Sequence, residues 1–342
     1  MRMDFVRKLP IPAECKEMYP LDASLARIVE ERAAELQRIF TGESDKFLVV
    51  IGPCSADRED AVMDYLTRLR AVADDVADKV FIVPRIYTNK PRTTGAGYKG
   101  MLHQPDPQGK PDLFKGIVAI RQLHMRALAE CGFSAADEML YPQNYKYLDD
   151  ILAYNAVGAR SVENQEHRLV ASAIDGPVGM KNPTSGNFTI MLNAISAAQQ
   201  SHSFIYRGWE GTSQGNPLAH AILRGYQDKH GDMHPNYHFE DMMLLARLYS
   251  ESGLQNPAVM VDANHCNSRK DPLQQPFIVR EVLLNRERDS ALRALVKGVM
   301  VESYLEDGNQ KVDGDVYGKS ITDACLGWEK SKRLLYDIAE QL

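Results

Sequence analysis

Apolar residues along this chain recur in two spacings. The first is a series of short apolar runs: FLVVIGPC (47–54), FIVPR (81–85), SAADE (134–138), VGAR (157–160), PVGMK (177–181), AILR (221–224), AVMVDANH (258–265) and GVMVE (298–302). The second is helical: Leu113, Ile117, Ile120, Leu123 and Leu128 repeat at three to five residues over 113–131, and a similar pattern covers 239–251, with Gly132 and Gly253 in stop positions. Eight buried strands alternating with helices predict an α/β fold, a single (β/α)8 TIM barrel. Ahead of it, residues 1–44 form an arm whose helix is expected to start from Asp22 as N-cap and end at Gly42. The segment 203–217 reads as a small inserted β-hairpin and the tail from Thr322 as a closing helix, so residues 45–342 make one catalytic-sized barrel.

Composition narrows the class. With 44% hydrophobic and 25% charged residues and no apolar run near the ~20 residues of a membrane span, the chain reads as a water-soluble domain without a membrane partner. The first twenty residues lack the continuous apolar segment of a secretory signal, which predicts a cytoplasmic location. Five cysteines without a CxxC pair argue against a disulfide framework. A net charge of −6 gives no reason to expect nucleic acid.

Each apolar run ends in a residue able to hold a metal or an anion, and barrel enzymes keep their chemistry at those C-terminal ends. Cys54, His265, Glu302 and Asp323 combine a thiolate, an imidazole and two carboxylates from strands one, seven and eight and the segment beyond. Strands one, seven and eight adjoin when a barrel closes, and mixed S/N/O ligation suits one divalent ion such as Mn2+, Fe2+, Co2+ or Zn2+. Any one of the four, taken alone, reads as an ordinary buried or solvated residue; their joint position at one rim makes the set. Arg85, Lys90, Arg92, Arg160, Lys181 and Arg224 gather cations at the same rim of an acidic protein, which predicts a small polyanionic ligand. Gly95, Gly97 and Gly100 match a dinucleotide fingerprint in letters only, because Pro105 and Pro107 follow where that motif must open a helix.

VVIGPCS, KPRTTGAGYKG, VGARSVENQEHR, PVGMKNPTSGN, HAILRG, NHCNSRK, GVMVESYLEDGNQ and YGKSITDACLGWE, in this order, resemble the class I 3-deoxy-D-arabino-heptulosonate 7-phosphate (DAHP) synthases from about residue 20 to 335. The resemblance implies a metal-dependent condensation of phosphoenolpyruvate with erythrose 4-phosphate, the entry step of aromatic amino acid biosynthesis. It implies Cys54, His265, Glu302 and Asp323 as metal ligands. Arg85, Lys90, Ala159, Arg160, Lys181 and Arg224, with Glu138 close by, would hold phosphoenolpyruvate. Lys90, Pro91, Arg92 and Thr93, together with Asp323, would meet erythrose 4-phosphate. Among the catalytic residues Cys54, His265, Lys90 and Glu138, Lys90 is expected to act as acid and Glu138 to position water. The family's homodimers or homotetramers, and its feedback by an aromatic amino acid, are expectations of the same kind. ADEMLYPQNYKY, DANHCNS and NPTSG depart from the enterobacterial pattern, and segments where effectors bind are among those that differ. The alternatives are a 3-deoxy-D-manno-octulosonate 8-phosphate synthase and a non-catalytic regulatory barrel.

Overall fold

The computed structural model describes residues 2–90 and 95–342, and among these one sheet of eight parallel strands is formed. The strands are β1 (Phe47–Gly52), β2 (Val80–Pro84), β3 (Ala136–Glu138), β4 (Tyr154–Val157), β5 (Val178–Lys181), β6 (Ala219–Leu223), β7 (Val259–Asp262) and β8 (Val296–Glu302). Each lies beside its neighbour in sequence and β1 lies beside β8. A parallel bridge from Arg85 to Ala136 joins β2 to β3, so the sheet closes into the barrel that the apolar runs predict.

Two hydrophobic clusters record the alternation of the strands. Leu48, Val50, Val83, Ala156, Ile222, Met260 and Met300 share one cluster inside the barrel. Their odd-numbered neighbours Val49, Ile51, Val157, Ala221, Val261 and Val299 pack outward with the surrounding helices. Helix α1 (Pro12–Met18) and helix α2 (Ala23–Thr41) precede β1. The Asp22 carboxylate accepts from the backbone N–H groups of Ser24 and Leu25, and Gly42 ends α2 in a left-handed turn (φ 83°). Leu36, Ile39 and Phe40 of α2 belong to the inner cluster, so the arm plugs the floor of its own barrel.

Four details depart from the sequence reading. Strand β4 is YNAV rather than VGAR: the buried Asn155 breaks the apolar signature, and Gly158 to Arg160 already belong to the following loop. A 3-10 turn over Pro142–Tyr147 stands where the third crossover helix is expected. The closing helix starts at Trp328 rather than near Thr322, because Ser320, Cys325 and Leu326 are engaged in bridges to Asn309, Gly308 and Ser303. The hairpin is present as Ser203–Tyr206 paired antiparallel with Trp209–Thr212, and a second, unforeseen ribbon pairs Tyr226–Gln227 with Met233–His234. Among the described residues no helix is long and apolar enough to cross a membrane.

The floor contains one buried histidine. His220 is fully buried, with Nδ1 2.8 Å from the Leu218 carbonyl, Nε2 2.7 Å from the Tyr154 hydroxyl, and its ring 4.3 Å from that of Phe40. A carbonyl only accepts, so the neutral ring carries its proton on Nδ1 and Tyr154 donates to Nε2. Burial lowers the His220 pKa from 6.5 to about 4. Its contribution to stability is therefore complete above pH 6.5 and is lost as pH falls through about 4. Urea unfolding should lose ~3 kcal/mol to this group between those pH values, and His220→Gln should flatten that acid limb. An unchanged pH dependence in the variant would contradict the assignment.

Candidate functional site

The register that turns Ile222, Met260 and Met300 inward turns Arg224, Asp262 and Glu302 inward one step further toward the strands' C-terminal ends. The interior thus changes from apolar floor to charged mouth. There a cavity of about 430 Å³ is lined by Arg85, Lys90, Glu138, Ala159, Arg160, Lys181, Arg224, His265 and Asp323, among others.

Cys54, Glu302 and Asp323 place one ligand atom each within 4.8 Å of one another. His265 is not in that mutual set: its Nδ1 lies 2.9 Å from Asp262 Oδ2 and its Nε2 3.8 Å from Glu302 Oε1. Its backbone is left-handed (φ 52°), an uncommon conformation for a non-glycine residue. The donor set fits a divalent cation. Glu302 Oε1, buried and 2.8 Å from the Arg85 guanidinium, receives no well-aligned hydrogen bond. Burial, reinforced by Glu302, pushes the Cys54 thiol above its ordinary value, a cost that a cation against the sulfur removes. A thiolate beside two carboxylates suits a borderline ion, and the residues allow more than one such metal.

The cations are held by the same network. The Arg85–Glu302 pair is buried on both sides, and Lys181 Nζ donates to Asp262 Oδ2 at 3.0 Å. Lys90 Nζ donates to Cys54 Sγ at 2.8 Å. Burial pulls the Lys90 ammonium down, but Cys54, Glu302 and Asp323 together outweigh burial and the nearby Arg85 and raise it above its ordinary value. Burial likewise works against the Glu302 and Asp262 carboxylates, yet Arg85 and His265 hold Glu302 below its usual range and His265 and Lys181 hold Asp262 well below it. Arg224 donates to Cys266 Sγ at 3.0 Å and is half-buried, while Arg160 is exposed at the rim. Both leave guanidinium surface toward the cavity.

Pro91, Arg92 and Thr93 lie outside the described residues. The remaining sequence-predicted residues line the cavity or the cluster beneath it. Sequence reasoning missed the residues that orient them. Asp262 bridges Lys181 and His265; the Asn264 amide donates to Glu302; Gln275 pairs with the Glu302 backbone at 2.8 and 2.9 Å; Lys270 lies 3.6 Å from Asp323. Asp262 and Asn264 stand inside the DANH stretch, where polar residues ending an apolar run were a usable signal. Gln275 sits on a later helix (Gln275–Arg288) with no signal of its own. Gly95, Gly97 and Gly100 all have positive φ (75°, 79° and 93°) in a loop, and a side chain at Gly100 would meet the Thr88 carbonyl at 2.4 Å.

Comparison with known proteins places the family and the fold. The sequence profile of the DAHP synthetase I family matches residues 25–336. The Tyr-sensitive phospho-2-dehydro-3-deoxyheptonate aldolase of Salmonella typhimurium is 36% identical over 344 residues, covering 98% of this chain and 93% of its own. The Trp-sensitive enzyme of Enterobacter agglomerans is 38% identical over 348 residues, covering 99% and 97%. The solved structure of phospho-2-dehydro-3-deoxyheptonate aldolase from Francisella tularensis superposes with a TM-score of 0.92 over 99% of this chain and 98% of that one, at 28% identity.

Gly158 gives the site a steric test. A Cβ there would come within 2.5 Å of Glu138 Oε1, the far end of a side chain, while the backbone has ordinary φ. Gly158→Ala should therefore fold and melt within a few degrees of the parent but displace the Glu138 carboxylate. Turnover is expected to fall ~10-fold or more, since displacements near 1 Å cost up to ~100-fold. Full activity in a folded variant would show that the position of Glu138 does not matter.

Proposed function

Because this chain belongs to the DAHP synthetase I family, we propose that its barrel mouth joins phosphoenolpyruvate to erythrose 4-phosphate with water, giving DAHP and inorganic phosphate. The activity is that of a DAHP synthase, the first step toward the aromatic amino acids. The observation that supports the residue assignments is the joining of a thiol and two carboxylates to a ring of cations in one cavity.

Two polyanions must approach within bonding distance, and like unit charges 4 Å apart repel by ~4 kcal/mol in a partly screened site. Arg85, Arg160, Lys181 and Arg224 offset that repulsion, hold the carboxylate and phosphate of phosphoenolpyruvate, and present its methylene carbon to the aldehyde. Ala159 adds a backbone contact. Lys90, Pro91, Arg92 and Thr93 take the sugar phosphate, with Asp323 beside it. Cys54, His265, Glu302 and Asp323 would hold one divalent ion, Mn2+, Fe2+, Co2+ or Zn2+, which when bound supplies Lewis-acid polarisation of the aldehyde. For His265 the nitrogen free to do so is Nε2, 3.8 Å from Glu302 Oε1, while Nδ1 stays on Asp262, the usual support for a ligating imidazole. As the carbon–carbon bond forms, the Lys90 ammonium donates a proton to the aldehyde oxygen. Glu138 orients the water that adds to the carbon bearing the phosphate ester, and the phosphate leaves.

Exposed apolar residues on the arm (Phe5, Val6) and on the hairpin (Ile205, Trp209) support a homodimer or homotetramer. The Tyr-sensitive and Trp-sensitive relatives support an aromatic amino acid effector.

Phosphate release with phosphoenolpyruvate should require erythrose 4-phosphate. Equal or better release with arabinose 5-phosphate would favour the octulosonate reaction, and none with either sugar would favour a non-catalytic barrel. Chelation should abolish the activity and one of the four metals restore it. Cys54→Ala should keep the fold and lose ~100-fold or more of the metal-stimulated rate, and normal stimulation would remove Cys54 from the ligand set. Arg224→Ala removes charge-assisted hydrogen bonds of ~1.5–3 kcal/mol, so KM for phosphoenolpyruvate should rise ~10- to 100-fold and that for erythrose 4-phosphate much less. An equal rise in both would contradict its assignment.

A further inference from the structure

The seam between β2 and β3 closes the barrel and also leads to two residues assigned above to the reaction. Its backbone pairing is short. Arg85 bridges Ala136, the Ile86 N–H donates to the Ala136 carbonyl at 2.9 Å, and beyond Ile86 no backbone hydrogen bond joins the two segments among the described residues. The next donors along the seam, the N–H groups of Thr88 and Glu138, are left without a strand partner, a costly state for buried backbone.

Asp137 supplies the missing acceptor. Its Oδ1 accepts from Thr88 N at 3.0 Å and from Glu138 N at 2.7 Å, and its Oδ2 accepts the Thr88 hydroxyl. The residue is 4% exposed, and His124 of the helix Leu113–Cys131 brings Nε2 to 3.7 Å from Oδ2. Strand alternation turns Asp137 away from the cavity while its neighbour Glu138 lines it, so Asp137 touches no substrate. Thr88, two residues before Lys90, is anchored on its other side as well, its carbonyl accepting from Leu102 N at 3.2 Å.

We infer that Asp137 is a positioning residue: its carboxylate replaces a rung of the barrel ladder at the closing seam and so fixes the Lys90 ammonium and the Glu138 carboxylate relative to each other. The inference rests on the proposed roles of Lys90 and Glu138. A carboxylate suits the task because both oxygens accept, whereas an amide accepts through one oxygen and must turn its NH2 toward the Thr88 hydroxyl. Asparagine therefore preserves most of the staple and leucine, of similar size, none of it.

The test uses the full metal-loaded chain, with phosphate release, phosphoenolpyruvate-binding stoichiometry by calorimetry, and thermal melting. Asp137→Leu is expected to lower kcat ~100-fold, with KM for phosphoenolpyruvate within about threefold and binding stoichiometry unchanged. Asp137→Asn should recover kcat to within about tenfold of the parent. If the leucine variant does not fold, Asp137→Glu, which keeps the charge but shifts the acceptor by one methylene, carries the test with an expected loss of ~10-fold or more. Parental kcat in whichever variant folds overturns the inference. So does a loss of kcat matched by lost binding stoichiometry, or failure of both variants to fold, since Asp137 would then serve the fold alone. Glu138→Gln and Lys90→Ala are measured in parallel. Parental turnover in both sinks their proposed roles and this inference with them; impaired turnover in both beside an unimpaired Asp137→Leu sinks this inference alone.

Discussion

Charge buried at the mouth of the barrel has to be balanced, and the arrangement of the site follows from how that is done. Arg85 and Glu302, each 3% exposed, face one another at 2.8 Å, and Lys181 and His265 converge on Asp262 Oδ2. An isolated ion in such a place would cost several kcal/mol, and removing one member of a buried pair typically costs ~3–5 kcal/mol. The pairing keeps the Arg85 guanidinium and the Glu302 and Asp262 carboxylates charged, and that same charge is what a divalent ion and two phosphorylated substrates require. The price of assembling the site is thus met by contacts that also preorganise it.

Stability and chemistry occupy opposite ends of the cylinder. The floor is apolar, closed by Leu36, Ile39 and Phe40 of the arm and by the neutral His220–Tyr154 pair, and fully burying such side chains contributes ~1.5–3 kcal/mol each. The mouth carries polar residues that would weaken an isolated core, and it is secured instead by partners behind the reacting groups. Gln275 clips the Glu302 backbone, Asn264 holds its carboxylate, and Asn182 holds the Arg224 N–H. Such supporting contacts determine how closely reacting atoms can be aligned.

The arm is attached to its own barrel at the side as well as the floor. Arg121, fully buried, donates to the carbonyls of Tyr19 and Tyr147 and to both oxygens of Asp150. This clamps the segment after α1 to the region that follows β3, the strand that delivers Glu138. A bidentate guanidinium contact of this kind fixes orientation as well as distance. The outer surface of the arm, where Phe5 and Val6 are exposed, remains open to association.

Much of this was legible in the chain. A period of two with charged residues at the ends of apolar runs fixes which side chains face the barrel interior and at which end, so Arg85, Lys181, Arg224 and Glu302 could be assigned to one mouth from local pattern alone. Caps written in single residues, Asp22 and Gly42, fixed the helix of the arm. Where local signal was weak the structure decided differently: Asn155 hid the start of β4, and bridges from distant residues delayed the last helix. Tertiary structure alone decided the partners. Asp262 meets Lys181 across 81 positions, Asp137 meets Thr88 across 49, and His265 rests on Asp262 rather than within the set of Cys54, Glu302 and Asp323. The reason is physical: periodicity follows from backbone geometry and is carried by neighbouring residues, whereas a hydrogen bond or ion pair depends on a distance that only barrel closure sets.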